Sequence, residues 1–213
     1  MSDKARAPVP VAVGSEFIAS ASRAGELPAS LAVEVAFAGR SNVGKSTLLN
    51  LLLGHHLART SSAPGRTRTI NFFSVKTRGG STLSFVDLPG YGFARRSKEE
   101  KLAWADLAER YLLERPALAL VIVLVDARRG PEPDDLELLK MLKDATPGGR
   151  AAPQVLVVAT KLDKLPLAQR KPALAAIARS GLRVVGVSAS DPVSVGELWR
   201  RLLASLGLEQ PAS

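Results

Sequence analysis

The chain has 213 residues, 46% hydrophobic and 23% charged, which suits one folded domain with a sizeable core and argues against disorder. Cysteine is absent, which excludes disulfides and thiolate metal sites. The formal net charge is +9, a surplus that suits an anionic partner such as a nucleic acid.

Residues 1–14 are rich in Pro and Ala and read as a flexible N-terminal tail, with too short an apolar run for a signal peptide. Residues 15–208 read as one domain and 209–213 as a C-terminal tail. Ser15 is a candidate cap for a short helix through about Ala24, broken by Gly25 and Pro28. Val33–Ala38 reads as a strand, followed by a glycine-bearing turn and a helix from Lys45 to Leu53 that Gly54 stops. His55 and His56 fall in the turn beyond it, with no third metal ligand nearby. Residues 58–68 form a polar loop containing Pro64-Gly65. Thr69–Lys76 and Thr82–Asp87 read as strands joined by a Gly79-Gly80 hairpin. Ser97–Glu114 has helical periodicity, with Leu102, Leu107, Tyr111 and Leu113 as core positions and Trp104 beside them.

The apolar, valine-rich run Leu118–Val125 reads as a strand covered on both faces. Even with Ala117 it falls far short of the roughly 20 residues of a membrane span, so a soluble, cytoplasmic protein that does not enter membranes is expected. A helix at Pro133–Lys143, a strand at Val155–Ala159, a helix near Ala168–Ser180, a strand at Arg183–Val187 and a helix at Val193–Leu206 complete the chain. The alternation predicts a three-layer α/β domain. Its sheet has six strands, mostly parallel, with one antiparallel edge strand and helices on both faces.

Gly39-Arg40-Ser41-Asn42-Val43-Gly44-Lys45-Ser46 matches the phosphate-loop pattern G-x-x-x-x-G-K-S/T, after a predicted strand and at the start of a helix. This makes the fold a P-loop NTPase domain. Gly39 and Gly44 let the backbone curl so that successive N–H groups face phosphate oxygens, and the helix N-terminus adds its positive end. Lys45 supplies a point charge to the β- and γ-phosphates, and Ser46, followed by Thr47, supplies a hydroxyl for Mg2+.

Thr160-Lys161-Leu162-Asp163 chooses the base. It follows a strand on the sheet edge where ligands bind. The Asp163 carboxylate can accept hydrogen bonds from guanine N1–H and the 2-amino group, a donor pair that adenine lacks. The Lys161 stem can lie along the purine. Asp87-Leu88-Pro89-Gly90 follows another strand. Its aspartate can reach Mg2+ and its glycine N–H the γ-phosphate. Between these motifs lies Gly65-Arg66-Thr67-Arg68-Thr69. A switch threonine is needed there, to meet Mg2+ through its hydroxyl and the γ-phosphate through its amide. Thr67 is favoured because it follows the Pro64-Gly65 pair, with Thr69 the alternative. Ser188-Ala189-Ser190, after the last strand, offers N–H groups to guanine O6. The candidate catalytic groups are therefore Lys45, Thr67 and Gly90, and the candidate metal ligands Ser46, Thr67 and Asp87.

Five motifs in this order resemble the translation-factor-like branch of GTPases. Residues 39–46, 61–73, 87–94, 126–131 and 160–164 together resemble the EngB family of bacterial GTP-binding proteins. The similarity runs from about Ser15 to Leu206. It implies a GTPase that binds GTP, GDP and Mg2+ and acts in large ribosomal subunit assembly, with effects on cell division and septation. The partner it implies is the large subunit or its rRNA, met by a monomer. The basic surplus agrees. Eight of the Lys and Arg side chains fall between residues 66 and 101, against three carboxylates. Arg95, Arg96, Arg128 and Arg129 are candidate RNA contacts.

Three residues, two of them departures from common GTPase patterns, bear on mechanism. Many GTPases place a glutamine after the DxxG glycine to orient the attacking water. Here Tyr91 stands there, which predicts slow intrinsic hydrolysis aided by a partner or a monovalent cation. Asn42 is a candidate to hold K+ beside the phosphates. Thr160 replaces the usual asparagine of the base motif and makes fewer hydrogen bonds, which predicts weaker nucleotide binding.

Overall fold

A computed structural model describes residues 11–30, 32–58, 69–91, 107–144, 151–179 and 181–208. The strands are β1 (Ala12–Ala21), β2 (Val33–Gly39), β3 (Ile70–Thr77), β4 (Thr82–Asp87), β5 (Leu118–Asp126), β6 (Gln154–Thr160) and β7 (Val184–Gly186). The helices are α1 (Lys45–Leu53), α2 (described over 107–114), α3 (Pro133–Asp144), α4 (Leu167–Ala178) and α5 (Pro192–Ser205). The strands form one sheet in the order β1-β3-β4-β2-β5-β6-β7. Pairing is parallel from β4 to β7, and β3 runs antiparallel to both its neighbours.

The mostly parallel α/β sheet is as the alternation predicts, with seven strands rather than six. The extra strand is β1, where a helix from Ser15 to about Ala24 was expected. Its residues bury little: Val13, Phe17 and Ile18 are exposed and only Ala21 is fully covered. Ala, Ser and Glu tolerate a helix, so local propensity carries no strand signal here. What holds β1 is backbone pairing to β3, from Ala12 opposite Thr77 to Ala21 opposite Ile70. The antiparallel strand β3 therefore lies one place in from the edge. Two register shifts, between Ala12 and Gly14 and between Phe17 and Ala19, interrupt the outer strand in the way natural sheets blunt an exposed edge.

The two faces of the sheet carry separate cores, set by the period-two alternation of strand side chains. Val35, Phe37, Leu120, Ile122 and Leu124 pack under α1 and α5, through Leu48, Leu49, Leu52, Leu198, Trp199 and Leu202. Ala36, Ala38, Val121, Val123 and Val125 pack under α2, α3 and α4, through Tyr111, Leu138, Leu142 and Ile177. Leu112 fills the place in α2 expected for Leu113, which is only half-buried. Phe85 anchors the first face, 5.0 Å from the Phe37 ring and stacked on Trp199 at 5.4 Å. Each such aromatic pair adds about 0.5–1.5 kcal/mol beyond area burial. His55 and His56 are exposed, as a solvated turn would be. Trp104 and Leu102 lie outside the described residues. Among the described residues no helix is long and apolar enough to cross a membrane.

Strand register aligns the functional loops. Phe37 lies opposite Asp87, Gly39 opposite Leu124, Asp126 opposite Thr160, and Ala159 opposite Gly186. The carboxyl ends of β2, β4, β5, β6 and β7 thus open onto one edge, where open α/β sheets take ligands.

Candidate nucleotide site

The phosphate loop leaves β2 at Gly39 and enters α1 at Lys45. Gly44 caps the helix at φ 105°, which a side chain at this position would make strained. Asn42 also has a positive φ of 62°. The Val43 amide donates to the Arg40 carbonyl at 3.1 Å, and Val43 itself is buried, closing the loop on the core. The first turn of α1 carries Ser46, half-buried, and Thr47, exposed. The Lys45 ammonium pairs with the Asp87 carboxylate, and both side chains are about nine-tenths covered. The phosphate-loop lysine and the expected metal carboxylate therefore share one spot, although 42 residues separate them in sequence.

The second loop closes against the first. The Ser41 amide donates to the Tyr91 carbonyl at 3.1 Å, and the Leu88 amide to the Phe37 carbonyl at 3.1 Å. Leu88 and Pro89 are buried. A Cβ added to Gly90 would stand 2.9 Å from Ser41 Oγ, so only glycine allows this approach without displacing Ser41. The Tyr91 ring is buried and its hydroxyl donates to Asp135 Oδ1 in α3 at 2.8 Å. Burial, then the neighbouring Asp135 charge, pushes the phenol far above its usual range, so it stays protonated as a donor. Burial likewise raises Asp135, while the Tyr91 hydrogen bond opposes the rise. Arg40 pairs with Glu132 and lies 3.8 Å from Asp134. The phosphate loop and the DxxG loop are thus both tied to the start of α3, a link that sequence spacing does not reveal. Tyr91→Phe should cost about 1–3 kcal/mol by leaving a buried carboxylate oxygen without its donor. Hydrolysis should change less than about threefold, since the lost hydrogen bond is made to α3 and not to a residue of the phosphate loop. Thermal denaturation and single-turnover hydrolysis measure the two effects separately.

The base loop is anchored to the phosphate loop twice. Thr160 Oγ1 donates to the Val43 carbonyl at 2.6 Å and lies 3.1 Å from the Val125 carbonyl. Lys161 Nζ donates to the Asn42 carbonyl at 2.6 Å and to Asp126 Oδ2 at 3.0 Å. Leu162 is buried beneath. Asp163 accepts from Ser188 Oγ at 3.3 Å and pairs with Lys164 at 3.4 Å. Burial pushes the Asp163 carboxyl up, but hydrogen bonds from its own amide, Lys164 and Ser188 outweigh that and hold it below the usual carboxylate range. It is therefore an ionised acceptor at neutral pH. The Ser188 amide is engaged by Ser194 Oγ and the Ser190 amide by Ser188 Oγ. Among the described residues the Ala189 amide has no such partner.

Gly65, Arg66, Thr67, Arg95 and Arg96 lie outside the described residues. Thr69, the alternative switch threonine, precedes β3 and donates through Oγ1 to Asn71 Oδ1 at 3.3 Å. Arg128 forks onto Asp126, and Arg129 lies 3.4 Å from Glu132 with two-thirds of its side chain exposed. Sequence reasoning gave Asp126 no role of its own. Its place at the end of the interior strand β5, beside Thr160, is the signal that could have found it.

The chain matches known proteins across this whole region. A family model described as 50S ribosome-binding GTPase matches residues 34–161. The probable GTP-binding protein EngB of Koribacter versatilis (strain Ellin345) is 41% identical over 203 residues, spanning 93% of this chain and 97% of that protein. Its counterpart from Anaeromyxobacter sp. (strain Fw109-5) is 43% identical over 91% of each chain. A crystal structure of Era in complex with MgGDPNP and nucleotides 1506–1542 of 16S ribosomal RNA superposes with a TM-score of 0.68 at 27% identity. That match covers 85% of this chain and 59% of the Era chain, so this chain spans less than two thirds of that protein's length. A crystal structure of a probable GTP-binding protein engB has a TM-score of 0.62 at 23% identity, covering 82% of this chain and 98% of the other, and shares the fold. With its phosphate loop, DxxG loop and guanine-type base loop assembled on one sheet edge, the chain belongs to the EngB family of GTP-binding proteins, among the 50S ribosome-binding GTPases.

Proposed function

We propose that this GTPase is a nucleotide-dependent switch that acts on the large ribosomal subunit during its assembly, in the cytoplasm and as a monomer, and so supports cell division and septation. The observation that carries the nucleotide half is the double tie of Thr160 and Lys161 to phosphate-loop carbonyls. That tie supports the reading of one pocket with a phosphate cradle and an ionised carboxylate to read the base. The amides of residues 39–47 would receive the phosphates, with Lys45 on the β- and γ-oxygens and the Gly90 amide at the γ-phosphate. Asp163 would read N1–H and the 2-amino group, and the Ala189 amide guanine O6. The partner half is supported by the family's description and the +9 charge. It is also supported by the solution of the similar Era protein with ribosomal RNA.

The donor set fits Mg2+. Ser46 and Asp87, with Thr67, offer oxygen atoms, which suit a hard cation. Among the described residues no group of three His, Cys, Asp or Glu side chains converges to hold a metal alone. Phosphate and water oxygens would therefore complete the shell. When bound, the cation neutralises charge on the phosphates. On the protein side, Lys45 would orient the phosphates beside Asp87, and Thr67 is the residue proposed to sense the γ-phosphate.

With the Tyr91 hydroxyl committed to Asp135, no side chain at that position orients the attacking water. Slow intrinsic turnover is expected. K+ near Asn42 would assist it, and replacing K+ by Na+ should then slow hydrolysis at least several-fold. Equal rates in the two buffers remove that cation from the mechanism.

Co-sedimentation with large-subunit particles tests the function itself. Binding should be tighter with a non-hydrolysable GTP analogue than with GDP and should weaken steeply as salt rises. Equal binding with both nucleotides contradicts the switch.

A further inference from the structure

We propose that Asp126 is a positioning residue for guanine nucleotide, holding Lys161 in the place where it bridges the base loop and the phosphate loop. The proposal rests on the nucleotide site described above and adds a residue to it. Asp126 ends β5 and lies in register with Thr160, one residue before Lys161. Its carboxylate, nine-tenths covered, gathers donors from two sides. Lys161 Nζ approaches Oδ2 at 3.0 Å. From the other side, Arg128 donates through Nε to Oδ1 at 2.9 Å, through a terminal nitrogen to Oδ2 at 2.6 Å, and through its amide to Oδ1 at 3.0 Å. A bidentate guanidinium fixes the plane of a carboxylate, which a single ammonium cannot do. Arg128 thus aims Asp126, and Asp126 aims Lys161.

A second observation indicates that this chain of contacts holds more than a loop. Among the described residues only two non-glycine residues have positive φ, Asn42 at 62° and Lys161 at 59°. They are bonded directly to each other, Lys161 Nζ to the Asn42 carbonyl at 2.6 Å. Left-handed backbone in such residues costs free energy and persists only where the surroundings over-determine it. Both strained residues sit at the junction of the phosphate and base loops, and Asp126 is the one carboxylate bonded to that junction among the described residues. A lysine with four rotatable carbons would otherwise sample many rotamers. Fixing its head beforehand lets its stem lie ready along a purine, which reduces the ordering cost on binding. Hydrogen bonding from Arg128 holds the Asp126 carboxyl well below the usual range against the opposing effect of burial, so the contact persists at every physiological pH.

The test is a double-mutant cycle read by release of a fluorescent GDP from the full chain with Mg2+ present. Asp126→Asn keeps the shape and removes the charge. It should speed GDP release about 3- to 30-fold, and the Asp126→Asn/Lys161→Ala double variant should release GDP no faster than Lys161→Ala alone. A merely structural role would move melting temperature without this coupling to Lys161. Release within about twofold of the unaltered protein, or effects that multiply in the double variant, overturns the proposal. If Asp126→Asn does not fold, Arg128→Ala carries the same cycle. It should speed release at least about twofold and lose that effect in the Lys161→Ala background; unchanged release overturns the proposal. Competition of the unaltered protein's bound GDP by ATP is run alongside. If ATP competes as well as GTP, the guanine site itself fails; if only GTP competes and the cycle shows no coupling, Asp126 alone fails.

Discussion

Lys45→Ala is expected to lower GTP hydrolysis by about 100- to 1,000-fold, the usual consequence of removing one preorganised charge from developing negative charge on an oxygen. Two consequences coincide at this position. The variant removes the ammonium that would meet the β- and γ-phosphates. It also leaves the Asp87 carboxylate, which is nine-tenths covered, without its cation. Mg2+-dependent nucleotide binding should therefore weaken together with turnover. A single-turnover assay with saturating GTP separates the two. If only the binding role matters, saturation restores the rate; the loss of transition-state charge predicts that it does not. Hydrolysis within about tenfold of the unaltered protein would show that the phosphates do not sit at this loop.

Asp163→Asn is expected to reverse base preference. In the proposed site the carboxylate would accept two hydrogen bonds from guanine, each charge-assisted, and such bonds contribute about 1.5–3 kcal/mol apiece. An asparagine keeps one acceptor but presents an N–H to the guanine 2-amino group, donor against donor. GTP affinity should fall about 100-fold or more. Xanthine carries a carbonyl at that position, which the same N–H can satisfy, so the variant should bind xanthosine triphosphate better than GTP. The Ser188 hydroxyl that approaches Asp163 can donate equally to the asparagine oxygen, so the loop should keep its form. Titration of both nucleotides against both proteins measures the switch. Unaltered GTP affinity in the variant would place the base elsewhere.

How far the sequence carries this account differs from element to element. The run Leu118–Val125 is legible because a central parallel strand must be apolar on both faces, and β5 alternates into both cores. The phosphate loop is legible because its chemistry needs glycines, a lysine and a hydroxyl at fixed spacing. β1 was illegible for the opposite reason. It is held by backbone pairing to β3 and buries almost nothing, so no side-chain pattern records it. Residue types place Asp87 and Asp163 on the right edge of the sheet, but not the Lys45–Asp87 pair, since pairing across 42 residues depends on the parallel register of β2 and β4. The Tyr91–Asp135 bond was hidden in the same way. From the sequence, Tyr91 is only a residue that cannot replace glutamine. The fold gives it a positive task, joining the DxxG loop to α3. Asp126 lies in a stretch that resembles the family, yet only the contacts to Lys161 and Arg128 show what the residue does. Arg128 is drawn partly away from the proposed RNA surface by that same contact, whereas Arg129 keeps most of its side chain in solvent.

A crystal structure of the chain grown with GDP and Mg2+ tests the central claim most directly. The account predicts both Asp163 oxygens on the guanine edge, the Lys45 ammonium on the β-phosphate, and Lys161 still bonded to the Asn42 carbonyl beneath the purine. A base turned away from Asp163, or a diphosphate bound outside the loop of residues 39–47, would contradict it.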